Sequence, residues 1–143
     1  MDVIITKNYY TAPDDYLILL GQKHAEVNTN KWRLIGGFID KKDNGRKNAA
    51  IREVREETNL DISREIITFV NQYTVDDWRY RGSKDGIMTT VFHVDLNKSW
   101  DDKTISSLES PSDDIAKLQW FKKSDVLKNL NKVHYNILND FIK

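Results

Sequence analysis

The chain has 143 residues, a length that suits one domain with a substantial hydrophobic core and leaves little room for a second. Lysine and arginine total 22, as do aspartate and glutamate, so the net charge is zero and no overall field favours nucleic acid or an anionic membrane. The chain has no cysteine, which excludes disulfides and thiolate chemistry and suits a reducing compartment. Because it also lacks a signal-peptide pattern and a long apolar run, we expect one cytoplasmic domain over residues 1–143, with neither nucleic acid nor membrane as partner.

The first half of the chain predicts three short strands and one helix. β-Branched and apolar runs are typical of strands, and the strands are separated here by loops rich in proline, aspartate or glycine. The third strand runs into Gly36-Gly37, where glycine allows the backbone to come close to a ligand. The predicted elements are strands at residues 3–5, 16–20 and 31–35 and a helix at residues 46–58.

The second half predicts longer strands and a closing helix. Residues 65–75 and 87–96 are rich in β-branched and aromatic residues, and residues 118–121 form a short apolar run. Residues 124–143 have apolar side chains near helical spacing, with Ser124 as the N-cap. This order predicts an α/β (α+β) fold in which a mixed β-sheet is sandwiched between α-helices.

The first predicted helix carries three glutamates on one side. At about 100° per residue, Glu53, Glu56 and Glu57 project within roughly one third of the circumference. A solvated face is one interpretation, because Arg52 and Glu56 have the i, i+4 spacing of a salt bridge. Glu53 and Glu57 are like charges at that same spacing, which costs roughly a few tenths of a kcal/mol unless a cation binds. Clustered carboxylates without cysteine are typical of sites for Mg²⁺ or Mn²⁺.

The strongest motif in the chain is the run of residues 52–60. It resembles the second half of the Nudix hydrolase signature, G-x5-E-x7-R-E-U-x-E-E-x-G-U, in which U is an aliphatic residue. The matching positions are Arg52, Glu53, Val54, Glu56, Glu57 and Leu60. The resemblance implies a Nudix fold, a metal ion held by Glu53, Glu56 and Glu57, and an arginine, Arg52, that orients a glutamate through an ion pair.

The first half of the signature departs from this pattern. The distance from Gly37 to Arg52 is one residue longer than in the signature, so the early glutamate falls on Asn44, or on Asp43 by the unshifted count. Asp43 could serve if the loop bulges. Asn59 replaces the last glycine, and asparagine is the next-best residue for a left-handed helix C-cap.

Looser similarities to the ADP-ribose pyrophosphatase branch of the family cover nearly the whole chain. Within that branch, the chain especially resembles the Nudix domain that is paired with nicotinamide mononucleotide adenylyltransferase in bifunctional proteins. The similar segments are residues 32–40, 79–82, 113–116 and 134–137. The resemblance implies a small-molecule nucleotide substrate and Mg²⁺-dependent hydrolysis of a nucleoside diphosphate linked to another moiety, with ADP-ribose giving AMP and ribose 5-phosphate. Two alternatives stay open: a hydrolase of nucleoside triphosphates or dinucleoside polyphosphates, and a non-catalytic nucleotide sensor. Family members often dimerise, so a homodimer is also open.

Two segments are candidates for substrate binding. The backbone at Gly36 and Gly37 would let phosphates approach, and Arg79 and Arg81 could bind phosphate bidentately. A plain exposed basic loop is an equal alternative for the two arginines.

The general base must lie within hydrogen-bond reach of the attacking water, directly or through one bridge. Glu53 is one candidate, and Glu109, Asp113 and Asp114 are others because their acidic loop could cover the metal site. A solvated turn is the alternative for that loop.

The histidines and the aromatic residues beside the glycine turn are expected to be structural. His24, His93 and His134 form no ligand pattern. Trp32 and Phe38 bracket the glycines, a position where aromatic side chains more often fill core than contact a base.

Overall fold

The protein is seen in a computed structural model that describes residues 1–75, 87–96, 109–110 and 112–143. Within these residues there are six strands and two helices, and short 3-10 turns occur at His24–Glu26 and Lys41–Asp43. In chain order the elements are β1 (Asp2–Lys7), β2 (Leu17–Lys23), β3 (Ile35–Gly36), α1 (Arg46–Thr58), β4 (Thr68–Val75), β5 (Ile87–Leu96), β6 (Ile115–Lys122) and α2 (Lys132–Phe141).

The strands form one mixed sheet in the order β4-β5-β1-β2-β6, with β3 paired to the start of β1. β1 and β5 run parallel, and the other pairs are antiparallel. β3 is short because only Asp2 and Val3 of β1 pair with it, opposite Gly36 and Ile35. The predicted mixed sheet between helices is confirmed.

The core lies on both sides of the sheet because successive side chains of a strand point to opposite faces. On β1, Val3 and Ile5 belong to the cluster that packs under α1, whereas Ile4 belongs to the cluster that packs under α2. Within the described ranges, no helix has the length and apolarity needed to cross a membrane.

The closing helix begins later than predicted. Residues 123–129 form turns, and α2 starts at Lys132 with Asn131 as its N-cap, so the prediction of a helix from Ser124 is wrong over its first turns. The reason is a contact with the strand-entry segment: the Trp32 N–H donates to the Asn129 carbonyl at 2.9 Å, and the Asn131 N–H donates to the Trp32 carbonyl at 2.7 Å. The Asn129 carbonyl and the Asn131 N–H are bonded to Trp32 and are not available for helical hydrogen bonds. The helix therefore begins after them.

Candidate active site

Helix α1 has the predicted bounds and presents small residues to the sheet. Its buried side chains are Ala49, Ala50, Val54 and Thr58. Since Glu53 adjoins Val54 and Glu57 adjoins Thr58, both carboxylates emerge at the margin of the packed face. Asn59 ends the helix in the left-handed conformation, with φ 64°, which confirms the predicted C-cap.

The Glu57 carboxylate lies between the helix and the glycine turn. Burial, followed by the charge of Glu53, raises the pKa of Glu57 to about 8. The Gly36 N–H donates to Glu57 Oε2 at 3.4 Å, and this bond and the charge of Lys23 act in the opposite direction. The sequence gives no signal for Lys23, because its influence on Glu57 depends on how the end of β2 sits in the folded sheet.

The two glycines of the turn make room for neighbouring atoms. A Cβ atom on Gly37 would lie 2.6 Å from the carboxyl carbon of Glu53, and one on Gly36 would collide with the Met1 carbonyl oxygen. The Gly37 N–H donates to the Met1 carbonyl at 3.0 Å, and the Gly37 carbonyl accepts from the Met1 amino group at 2.6 Å. These backbone groups thus have partners within the protein, and phosphate binding by Gly36 and Gly37 stays a prediction.

Arg52 gathers the acidic side chains of the site. Its Nε and Nη2 donate to Asp43 at 2.6 and 2.8 Å, and its Nη1 donates to Glu53 at 3.0 Å and to Glu56 at 3.1 Å. The bond to Asp43 is the main reason that the pKa of Arg52 is raised above its usual range. Burial raises the pKa of Glu53, against the opposing hydrogen bond and charge of Arg52. Arg52 therefore holds Glu53 in place without fully neutralising the cost of its burial.

By the unshifted count, Asp43 stands at the position where the signature has its early glutamate. Its side chain is 4% exposed, and its Oδ2 also accepts the Asp40 N–H at 2.6 Å. The hydrogen bond from Arg52 holds the pKa of Asp43 below its usual range. Just after it, Asn44 and Gly45 both have positive φ, 48° and 114°. The backbone therefore turns after Asp43, and the Asp43 side chain is the one that bonds to Arg52.

The described residues contain no group of three or more histidine, cysteine, aspartate or glutamate side chains that would hold a metal ion as they stand. Glu53 and Glu57 are drawn towards the glycine turn, but the Glu56 carboxylate is 57% exposed and bonds to Arg52. The donor chemistry fits a hard cation, because two partly buried carboxylates with raised pKa values are short of positive charge. A third protein ligand would require Glu56 to leave Arg52.

The remaining candidates lie elsewhere or outside the described residues. Glu109 and Asp114 are exposed, and within the described residues no hydrogen bond or ion pair joins either to α1. The Asp114 carbonyl accepts from the His24 N–H at 3.2 Å, which places this residue beside the end of β2. Arg79 and Arg81 fall outside the described residues. Their proposed roles stay predictions.

The aromatic residues beside the glycine turn behave differently from one another. Trp32 is buried and meets Phe121 edge-on at a centroid distance of 5.0 Å, as expected for a core residue. Phe38 is 58% exposed, so the expectation that it fills core is wrong. Its carbonyl accepts from Arg52 Nη2 at 3.1 Å, and this bond fixes the backbone beside the site.

The fold and the site together define an α/β domain with an acidic helix packed behind a glycine turn. A profile described as NUDIX domain matches residues 8–141 of the chain. The chain therefore belongs to the Nudix family.

Solved structures share this fold at low sequence identity. The NUDIX domain of Shewanella oneidensis NrtR, complexed with ADP ribose, is 17% identical with a TM-score of 0.65, over 97% of this chain and 81% of that one. A C. elegans Ap4A hydrolase in a binary complex is 19% identical with a TM-score of 0.66, over 98% and 92%. A mutT/nudix family protein from Listeria innocua is 23% identical with a TM-score of 0.64, over 98% and 88%. No curated protein sequence gives a significant match.

Proposed function

We propose that the protein hydrolyses the diphosphate of a nucleoside diphosphate linked to another moiety, with Mg²⁺ or Mn²⁺ as cofactor, and that ADP-ribose is cut to AMP and ribose 5-phosphate. The observation that carries the proposal is the pair Glu53 and Glu57. Both carboxylates are partly buried, both have raised pKa values, and the charge of Glu53 adds to the rise at Glu57. A protein keeps such a pair where a cation or a proton transfer uses it.

The chain's own residues have distinct parts in this reaction. Glu53 and Glu57, with Glu56 if it leaves Arg52, would hold the cation, which when bound neutralises diphosphate charge and lowers the pKa of water. Arg52 fixes the direction of the Glu53 carboxylate through the bond at 3.0 Å. Glu53 is also a candidate to accept the proton of the attacking water, because its carboxylate lies at the glycine turn and burial raises its pKa.

Two similarities support ADP-ribose as the substrate. The segments at residues 32–40, 79–82, 113–116 and 134–137 resemble the ADP-ribose pyrophosphatase branch, and the NrtR domain, which shares the fold, is complexed with ADP ribose. The Ap4A hydrolase shares the fold equally well and supports dinucleoside polyphosphates as the second candidate. We place the reaction in the cytoplasm, supported by the absence of cysteine, and within one domain over residues 1–143.

The test is a substrate panel. The protein is incubated with Mg²⁺ and, separately, ADP-ribose, a sugar nucleotide, a dinucleoside tetraphosphate and a nucleoside triphosphate, and products are separated by anion exchange. We expect AMP and ribose 5-phosphate to form fastest. Running the reaction in ¹⁸O-water shows which phosphorus is attacked, because the label stays on that product.

The panel is repeated with Glu57→Gln, a variant that keeps the size of the side chain and removes its charge. The variant should fold like the wild type and lose the ADP-ribose activity. Tight ADP-ribose binding without turnover of any panel member would instead establish a sensor, and faster cleavage of the dinucleoside polyphosphate would establish the second candidate.

A further inference from the structure

His134 joins two strands through its two ring nitrogens. The Leu34 N–H donates to His134 Nδ1 at 3.0 Å, so this nitrogen is the acceptor and the ring proton is on Nε2. Nε2 lies 3.4 Å from Asp2 Oδ1. The ring, carried by α2, therefore connects the residue before β3 to the first residue of β1.

The far end of this connection is also held. Asp2 Oδ2 accepts from the Thr89 hydroxyl on β5 at 2.7 Å. Burial would raise the pKa of Asp2, but the hydrogen bonds from His134 and Thr89 and the charge of the Met1 amino group lower it on balance, so the group is a carboxylate. Asp2 thus has a partner on β5 and a partner on α2, and neither lies on α1.

Asp2 lies directly against the glycine turn. It pairs with Gly36 in the β1–β3 ladder, and a Cβ on Gly36 would be only 2.8 Å from Asp2 Oδ1. The Gly36 N–H is the group that donates to Glu57. A series of contacts therefore connects His134 to the acidic helix on the opposite face of the sheet. His134 contacts Asp2, Asp2 lies against Gly36, and the Gly36 N–H donates to Glu57.

We propose that His134 is a positioning residue that holds the start of β3 beside β1. It thereby fixes the position of the glycine turn, which contacts Glu57 and Glu53. The inference rests on the proposed function, because it assigns His134 an effect on cation binding by those two glutamates. Packing alone does not account for a histidine here, since its neighbours on α2, Ile137 and Leu138, fill the same core with apolar side chains.

The chain contains a matched control. His93 is also buried on the α2 side, but its Nε2 bonds to Thr6 at 2.7 Å, near the far end of β1 from Asp2. Its ring also lies against the rings of Tyr9, Tyr10 and Phe141. A change at His93 thus perturbs the same side of the sheet and leaves the contacts of His134 with Leu34 and Asp2 intact.

The test compares His134→Asn with His93→Asn. Asparagine at residue 134 can keep an acceptor for the Leu34 N–H, but it is too short to reach Asp2. Mn²⁺ affinity is measured by calorimetry, and the exchange rate of the Gly36 amide proton by NMR. We expect His134→Asn to weaken Mn²⁺ binding by about 10- to 100-fold and to speed Gly36 exchange, whereas His93→Asn leaves both within about twofold of the wild type.

A second variant guards against a simple loss of folding. Asp2→Asn keeps the size of the partner and removes its charge, and it should reproduce the Mn²⁺ effect of His134→Asn without adding to it in the double variant. Wild-type Mn²⁺ affinity and Gly36 exchange in a folded His134→Asn or Asp2→Asn protein would overturn the proposal. If the wild type itself binds no Mn²⁺, the proposed function fails, and Gly36 exchange alone still decides whether His134 fixes the turn.

Discussion

The two faces of the sheet treat their buried polar groups in opposite ways. Under α1, Glu53 and Glu57 have the same charge when both are ionised, and burial raises both pKa values. Under α2, His93 bonds to Thr6, and His134 bonds to the Leu34 N–H and to Asp2. Across the described residues, every buried side-chain nitrogen or oxygen has a hydrogen-bond partner, so the contrast is one of charge balance and not of missing bonds.

This difference separates a face that carries the proposed site, under α1, from a face that supports the strands, under α2. Electrostatic cost is concentrated on one edge of α1, where the proposed cation would remove it, and the α2 face supplies neutral or paired groups that hold the strands. A site that is unfavourable alone must be held by its surroundings. The two faces should therefore respond differently to the same kind of substitution.

Removing the charge of Glu57 should give the largest effect. We expect Glu57→Gln to lower kcat/KM by about 10³-fold, and Glu56→Gln by about 10²-fold, because each is a proposed ligand and Glu57 is the more buried. Steady-state rates at saturating Mg²⁺ measure both. The control is Asp14→Asn, an exposed carboxylate in the loop before β2, which should keep the wild-type rate. A near-normal rate for Glu56→Gln at saturating Mg²⁺ would remove Glu56 from the ligands.

A change at Asp43, in the loop before α1, should lower the rate nearly as much. Asp43→Asn removes the charge that pairs with Arg52, so the arginine interacts more strongly with Glu53 and Glu56 and competes with a cation for them. We therefore expect kcat/KM to fall by about 10- to 100-fold. Asp61→Asn is the matched control, since Asp61 is an exposed carboxylate that faces Arg55 at 3.6 Å. Equal rates for the two variants would show that Asp43 has no positioning role.

The sequence predicted the α1 face better than the α2 face, for a physical reason. The bounds of α1, the Asn59 cap and the glutamate spacing follow from local periodicity and capping, which nearby residues determine. The start of α2 depends on Trp32, almost a hundred residues earlier, and the two partners of His134, Leu34 and Asp2, lie 100 and 132 residues before it. The spacing alone does not decide between Asp43 and Asn44, because the decision depends on the backbone after Asp43, where Asn44 and Gly45 have positive φ.

The α2 face should have its own pH dependence. Burial lowers the pKa of His93 to about 4 from an ordinary value of 6.5, so between these values the unfolded chain binds more protons than the folded one. Stability is therefore lost as pH falls, by about 2 kcal/mol from His93 between pH 7 and pH 5. We expect urea unfolding of His93→Gln to lack this part of the loss. His24→Gln, at an exposed histidine, should keep the wild-type pH dependence, and an unchanged pH dependence in His93→Gln would contradict the assignment.

The end of α1 offers the smallest and most local test of the comparison. Asn59 has φ 64° and its N–H donates to the Arg55 carbonyl at 2.9 Å, so the backbone, not the side chain, closes the helix. Asn59→Ala should lower the free energy of unfolding by about 1 kcal/mol because alanine resists the left-handed region, and Asn59→Gly should leave it unchanged or raise it slightly. Urea unfolding measures both. Since Glu57 lies only two residues before the cap, a drop in Mn²⁺ affinity for Asn59→Ala that Asn59→Gly does not show would mean that the left-handed cap also fixes the helix turn that carries the proposed metal ligands.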